Sequence, residues 1–262
     1  MSSPSFAARH PFLTTIATTI GLVVALGVAG TALYLSGETT ISPVVVVFPV
    51  IALAIVIRAI VRRRLPRPLR RGHPTGTPQQ YVLAVALPLT VLTVTAFSVG
   101  GFPARPVSSV IGWALFAALI GFVEEMVYRG WFLSLLLPRG RTTAVLVSSA
   151  LFAVSHAVNA LAGQDTATSI RQISFAFLFG ILAALLYLVL GNLWVAIVFH
   201  ALHDLVQFLG AASTSATIDV VSMMLVATGI AVLVAVSRRV DATHPNAATP
   251  RREPARATTF GA

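Results

Sequence analysis

Glu124, Glu125 and Arg129 stand together in the stretch Gly121 to Gly130, directly after a segment that is otherwise apolar from Ser108 through Ile120. A lone charge at the centre of a bilayer costs roughly 2.5–3.5 kcal/mol on insertion scales, so three ionisable groups in one apolar segment require a purpose. Glu125 and Arg129 are four residues apart, share a helical face and can pair, which offsets their desolvation. Glu124 lies about 100° further round the helix, has Tyr128 rather than Arg129 as its i+4 neighbour, and is left without a fixed cation. A carboxylate placed in this way is a usable general base.

Two further apolar stretches carry groups that could act with it. In one, Phe152 and His156 are four apart; in the other, His200 and Asp204 are four apart, with His203 beside them. A glutamate next to a histidine can polarise water into a nucleophile, and a second histidine with a polar partner can stabilise the oxyanion of an attacked amide. Glu124, His156 and His200 could instead ligate Zn²⁺, leaving a second carboxylate as base. The HExxH signature of soluble zinc proteases is absent, and the spacing alone leaves the metal-bound and metal-free alternatives open. Without cysteine there is no thiolate nucleophile, cysteine metal site or disulfide framework. Ser149 and Ser155 lack the glycine-framed context of a helical serine protease.

These groups must be carried by membrane helices. The chain of 262 residues is 56% hydrophobic and 10% charged, and its mean hydropathy is +0.88, values foreign to a water-soluble domain. Crossing about 30 Å of hydrocarbon takes roughly 20 apolar residues. Eight stretches qualify: Phe12–Leu35, Ile41–Ile60, Tyr81–Val99, Ser108–Leu137, Thr143–Ala162, Gln172–Leu190, Asn192–Gly210 and Thr217–Ser237. The expected fold is therefore all-α, a polytopic transmembrane helical bundle over 1–239 with its motif core at about 108–210, followed by a disordered cytoplasmic tail over 240–262. The first apolar run is too long for a signal-peptide core and reads as a retained span.

The net charge of +10 comes from eighteen arginines and no lysine. The connector from Arg62 to Arg71, with Arg58 at the end of the span before it, marks the cytoplasmic side by the positive-inside rule. Alternation then places Arg9, Arg139, Arg141 and the arginines of the tail on that same side and both termini in the cytoplasm, with only Arg105 and Arg171 opposite. So ordered, the arginines report topology and lipid contact rather than nucleic-acid binding.

Depth favours convergence of the polar groups. Leu137 lies thirteen residues after Glu124, and His156 thirteen after Thr143, across the tight turn at Pro138 to Thr142. At about 1.5 Å per residue, both side chains sit about 20 Å from that turn. His200 and Asp204 are roughly 12–18 Å along their helix from Asn192. One polar chamber open to the cytoplasm, lined by Glu124, His156, His200 and Asp204, is the expectation.

Glu124-Glu125-x-x-x-Arg129, Phe152-x-x-x-His156 and His200-x-x-x-Asp204, in series on separate spans, resemble the motifs of the type II CAAX prenyl endopeptidases and their bacterial relatives, the CPBP or Abi family. The resemblance covers roughly Ile111 to Phe208 and implies a helical intramembrane endopeptidase, filed as a metalloprotease although a metal-free glutamate mechanism is also argued. It implies that Glu124 and His156 activate water, that His200 and Asp204 stabilise the oxyanion, and that Glu125, Arg129 and Phe152 support the site. The family's last motif often ends in Asn; Asp204 would serve as an oxyanion donor only when protonated, or would orient His200 instead. The composition, rich in Ala, Val and Arg, suits a GC-rich bacterial genome, so the expected location is the bacterial plasma membrane, the active site toward the cytoplasm. The expected partners are the bilayer and a membrane-embedded or lipid-anchored protein or peptide substrate, without nucleic acid. Two other readings compete. A proton-coupled transporter would favour inverted repeats, which are not evident; a non-catalytic partner-binding protein would need none of the catalytic groups that are all present.

Overall fold

The computed structural model of the chain describes residues 5–37, 42–61, 78–211 and 216–243, and among these there are helices and connectors but no strands. The helices are α1 (Phe6–Arg9), α2 (Pro11–Leu35), α3 (Val44–Val61), α4 (Pro78–Ser98), α5 (Val107–Glu125), α6 (Ser134–Leu136), α7 (Arg141–Ser155), α8 (Val158–Leu161), α9 (Thr166–Leu190), α10 (Leu193–Leu209) and α11 (Ala216–Thr243). A π-helical segment, Met126–Leu133, joins α5 to α6, and a 3₁₀ turn, Leu137–Arg139, leads towards α7. The arginine-rich connector from Arg62 to Arg71 and residues 244–262 of the expected tail lie outside the described residues; α11 itself runs to Thr243, past the expected boundary at Val240.

Among the described residues, five stretches are long and apolar enough to cross a bilayer: Pro11–Leu35, Val44–Val61, Val107–Arg139, Arg141–Leu161 and Thr166–Leu190. Val85–Phe97, Leu193–Leu209 and Asp219–Ala235 are apolar but shorter. Large apolar side chains on the outer faces of α2 and α3, among them Ile20, Val24, Leu53 and Ile57, are more than half exposed, or half exposed in the case of Ile57, as suits a bundle solvated by lipid rather than water.

Local sequence explains where the helices begin and end. Pro11 occupies the first turn of α2, where its missing N–H costs nothing. Asp165 caps α9 by accepting from the Thr168 N–H at 3.0 Å, and its contacts with Thr168 hold its carboxyl below the usual carboxylate range. Gly191, at φ +62°, ends α9, and Asn192 then caps α10 by accepting from the Trp194 N–H at 3.1 Å.

Two expected spans differ from straight helices. The fourth continues for 33 residues, Val107–Arg139, but changes to π-helical geometry directly after Glu125. Such segments are rare and frequent at functional sites. Here Met126, Tyr128, Arg129, Gly130, Phe132 and Leu133 are all buried against the bundle, while Trp131 faces outward and is exposed.

The fifth, expected to run from Thr143 to Ala162, stops at Ser155. The His156 N–H bonds to the Ala153 carbonyl at 3.1 Å rather than to Phe152, and the Phe152 carbonyl takes side chains instead. Ser155 Oγ donates to it at 2.7 Å and His156 Nδ1 lies 2.9 Å from it. Side chains competing for the backbone in this way bend and end helices.

The packing that positions the polar groups is centred on two helix pairs. α5 lies along α10, and α7 along α9. At Gly121 a Cβ would stand 2.9 Å from the Ile197 carbonyl oxygen and 3.0 Å from the Ala201 N, so α5 and α10 meet backbone to backbone one turn from the two glutamates. Arg139 Nη2 reaches the Arg9 carbonyl at 3.4 Å, which places those two arginines at the same end of the bundle. Tyr128, Phe132, Phe152, Phe179, Leu193 and Phe199 belong to the principal core.

Candidate active site

Glu125 is the last residue of α5 and has no exposed surface. Its Oε1 accepts from Arg129 Nη1 at 2.8 Å, the ion pair expected from the four-residue spacing. The same oxygen lies 3.0 Å from His200 Nδ1, on a helix that begins 68 residues later, a contact no local spacing announces. An ionised carboxylate only accepts, so Nδ1 carries the proton and donates to Glu125. The imidazole is thereby turned so that Nε2 faces Glu124 Oε2 and Asp204 Oδ2, each at 3.6 Å. That separation exceeds a direct hydrogen bond and suits groups that share a water.

His156 is set by a different device. A carbonyl oxygen only accepts, so the 2.9 Å contact with Phe152 O fixes the proton on Nδ1. In the neutral ring, Nε2 is then a bare lone pair. The break in α7 at this position is what frees the Phe152 carbonyl to hold the ring, so the local fold creates the tautomer.

Phe152 is the wall common to both histidines. Its ring meets His156 edge-on at 4.8 Å between centroids and His200 edge-on at 5.7 Å, and Tyr128 approaches it at 5.2 Å. Arg129 Cζ lies 4.2 Å from its centroid, a buried cation–π contact of the kind worth about 2 kcal/mol. Arg129 is therefore held by a carboxylate and an aromatic face together.

Glu124 is within electrostatic reach of His156, His200, Asp204 and Glu125. Its side chain keeps 14% of its surface exposed and that of Asp204 19%, whereas Glu125 keeps none. Of the two glutamates, Glu125 belongs to the interior scaffold, and Glu124 faces the groups that could meet a substrate.

The motif groups of α5 and the π-helical segment after it, of α7 and its end, and of α10 therefore come together as a cluster. Orienting His200, one of the two alternatives for Asp204, falls to Glu125 by position: Asp204 lies on the Nε2 side of His200, opposite the nitrogen that is anchored. His203 turns away, with its ring stacked on Phe175 at 5.2 Å and 17° and its Nδ1 3.6 Å from Asp204 Oδ1. Phe179, which backs His200 at 5.0 Å and His203 at 5.3 Å, was not anticipated. The spacing of Phe175 and Phe179, one turn apart in α9, is the signal that could have found it. Among the described residues, no group of three or more His, Asp or Glu side chains is arranged as a ready-made metal site.

The fold and this cluster define a helical integral membrane protein with a carboxylate–imidazole centre inside the bundle. Residues 106–206, from the start of α5 into α10, match the family model Type II CAAX prenyl endopeptidase Rce1-like, and this segment is similar to that family. The match supports the CPBP or Abi resemblance and an intramembrane CAAX-type endopeptidase at the level of the family. No curated protein and no solved structure matches the chain.

Proposed function

We propose that this protein hydrolyses a peptide bond of a membrane-embedded or lipid-anchored protein or peptide, using water activated by Glu124 and His156. The observation that carries the proposal is the anchoring of both imidazoles at Nδ1, His156 by the Phe152 carbonyl and His200 by Glu125, beside one incompletely buried glutamate. Glu124 takes a proton from water as the oxygen attacks the carbonyl carbon, with His156 Nε2 accepting a hydrogen bond from the same water. His200 in its doubly protonated form, or a protonated Asp204, donates to the oxyanion. Glu124 then returns its proton to the leaving amine, the C–N bond breaks, and the new carboxyl group holds the oxygen of the water.

The topology that fits this reaction is the eight-span one, with the five long helices and three shorter ones all crossing, both termini cytoplasmic, and the site opening toward the cytoplasm of a bacterial cell. The test is to incubate the reconstituted protein with membrane-tethered reporter peptides in isotopically labelled water. One labelled oxygen in the newly formed carboxyl terminus is the expected result; a folded protein that leaves every peptide of a broad panel intact would contradict the proposal.

A further inference from the structure

Gly180 lies in the middle of α9, away from any turn, and its reason for being glycine is a contact. A Cβ built there would stand 2.9 Å from Ser149 Cβ, 3.1 Å from Ser149 Oγ and 3.0 Å from Arg129 Nη2. The space a side chain would need is occupied by the guanidinium that pairs with Glu125 and by a buried serine of α7. Arg129 and Ser149 are both fully buried. Arg129 Nη2 and Ser149 Oγ have no hydrogen-bond partner, so neither is tied in place by a bond of its own there. What limits the depth of the guanidinium on that side is contact with α9.

Ala176, Gly180 and Ala184 recur every four residues along α9 and are all buried, a stripe of small residues of the kind that lets membrane helices approach closely. The adjacent Phe179 faces α10 instead, against Phe199 and His200. One turn of α9 thus touches both ends of the chain of contacts that runs from Arg129 through Glu125 to His200.

We infer that Gly180 and Ser149 are positioning residues: together they form a notch that sets the depth of Arg129, and through the Arg129–Glu125–His200 chain they set the orientation of the His200 imidazole. Neither residue belongs to the three motifs. The inference rests on the proposed reaction only where activity is read; the orientation of His200 can be followed without it.

Gly180→Ala places a methyl group where Ser149 and Arg129 stand. Ser149→Gly removes one of the two obstructing side chains and gives the methyl room. The experiment prepares the full-length protein in lipid nanodiscs as wild type, Gly180→Ala, the Gly180→Ala/Ser149→Gly double variant and Gly112→Ala, which alters an exposed glycine with nothing within 4 Å of its would-be Cβ. The nitrogen resonances of labelled histidine, with His200 assigned through His200→Gln, report the hydrogen bond at Nδ1, and thermal stability is recorded alongside.

The expected result is that Gly180→Ala moves the His200 resonances and the double variant returns them toward wild type, while Gly112→Ala leaves them in place. In the cleavage assay, Gly180→Ala should lower kcat by about a hundredfold with little change in KM, since displacement of a catalytic group by about 1 Å costs that much, and the double variant should recover at least tenfold of it. A folded Gly180→Ala protein with lowered stability and unmoved His200 resonances would overturn the inference, leaving Gly180 a packing residue alone. If Gly180→Ala does not fold, the double variant decides: a folded protein with a wild-type His200 signal supports the notch, and one that is still unfolded, or folded with a displaced signal, overturns it. A wild-type protein that cleaves no reporter refutes the proposed reaction and leaves the resonance test intact.

Discussion

At the scale of single residues, the two histidines differ in what holds them, and their substitutions should differ accordingly. Glu125→Gln keeps a side-chain acceptor for His200 Nδ1 but removes the charge that pairs with Arg129. Leaving a buried charge without its partner typically costs about 3–5 kcal/mol. Glu125→Gln and Arg129→Ala should therefore each lower the unfolding midpoint in detergent strongly, and the Glu125→Gln/Arg129→Ala double variant should lose less than the sum of the two; additive losses would show that the pair is not coupled. His156→Ala should abolish cleavage, whereas His203→Ala should retain most of it, because the His203 ring is stacked on Phe175 rather than turned to the Nε2 side of His200. Equal loss in the two variants, measured as kcat/KM, would mean that the active face of α10 has been wrongly drawn.

The Glu125–Arg129 pair was legible in the sequence because an i+4 spacing carries its own geometry. The Glu125–His200 bond was not, because it joins residues 75 apart and depends on how closely α5 and α10 approach. The tautomer of His156 was hidden for a related reason: it requires α7 to end at Ser155, and the run from Thr143 to Ala162 stays apolar on average across Ser155, His156 and Asn159, so hydropathy gives no sign of the break.

At the scale of elements, the site depends on helices brought together at glycines. Gly121 lets the backbone of α5 touch that of α10, and an added methyl group 2.9 Å from the Ile197 carbonyl oxygen would have backbone, not a flexible side-chain end, to displace. Gly121→Ala should separate Glu125 from His200 and lower kcat by about a hundredfold while the helical circular dichroism stays unchanged; wild-type activity would show that α5 and α10 can move apart without disturbing the site. The loop between α9 and α10 can be tested more gently. Asn192→Ala removes the cap of α10 and should cost about 1 kcal/mol of stability, with Asn192→Ser recovering most of it. These effects should appear in stability before activity, because Asn192 lies two turns from His200 along the helix axis. The π-helical segment had no signature in the sequence beyond the crowding of polar and aromatic residues between Glu124 and Trp131, since hydrophobic periodicity is read against an α-helical spacing.

At the scale of the whole molecule, the all-helical class and the order of the spans follow from apolar run length, which is why α2, α3 and α9 correspond to their expected segments within a few residues, apart from the earlier start of α9 at Thr166. That earlier start arises from the Asp165 cap, a local signal that a hydropathy window smooths away. The segment that matches the family model, residues 106–206, spans the whole polar cluster, from the entry of α5 to just beyond Asp204. α1 to α4 and α11 lie outside it and enclose it: α2 packs on α7, α3 on α5, and α11 on α9 and α4. Their sequences carry none of the three motifs, so their contribution to catalysis is expected through packing and through access of the substrate.

The central claim is that Glu124 makes water the nucleophile. Its most direct test compares cleavage of one membrane-tethered reporter by the wild-type protein and by Glu124→Gln, both reconstituted in the same bilayer, with and without a chelator, and with thermal stability confirmed for each. Glutamine keeps the size of the side chain and cannot take the proton, so cleavage should fall by roughly a hundredfold to ten-thousandfold without loss of fold, and wild-type cleavage should persist in the chelator. Undiminished cleavage by Glu124→Gln would contradict the claim outright, and wild-type cleavage lost on chelation and restored by Zn²⁺ would replace glutamate-activated water with metal-bound water.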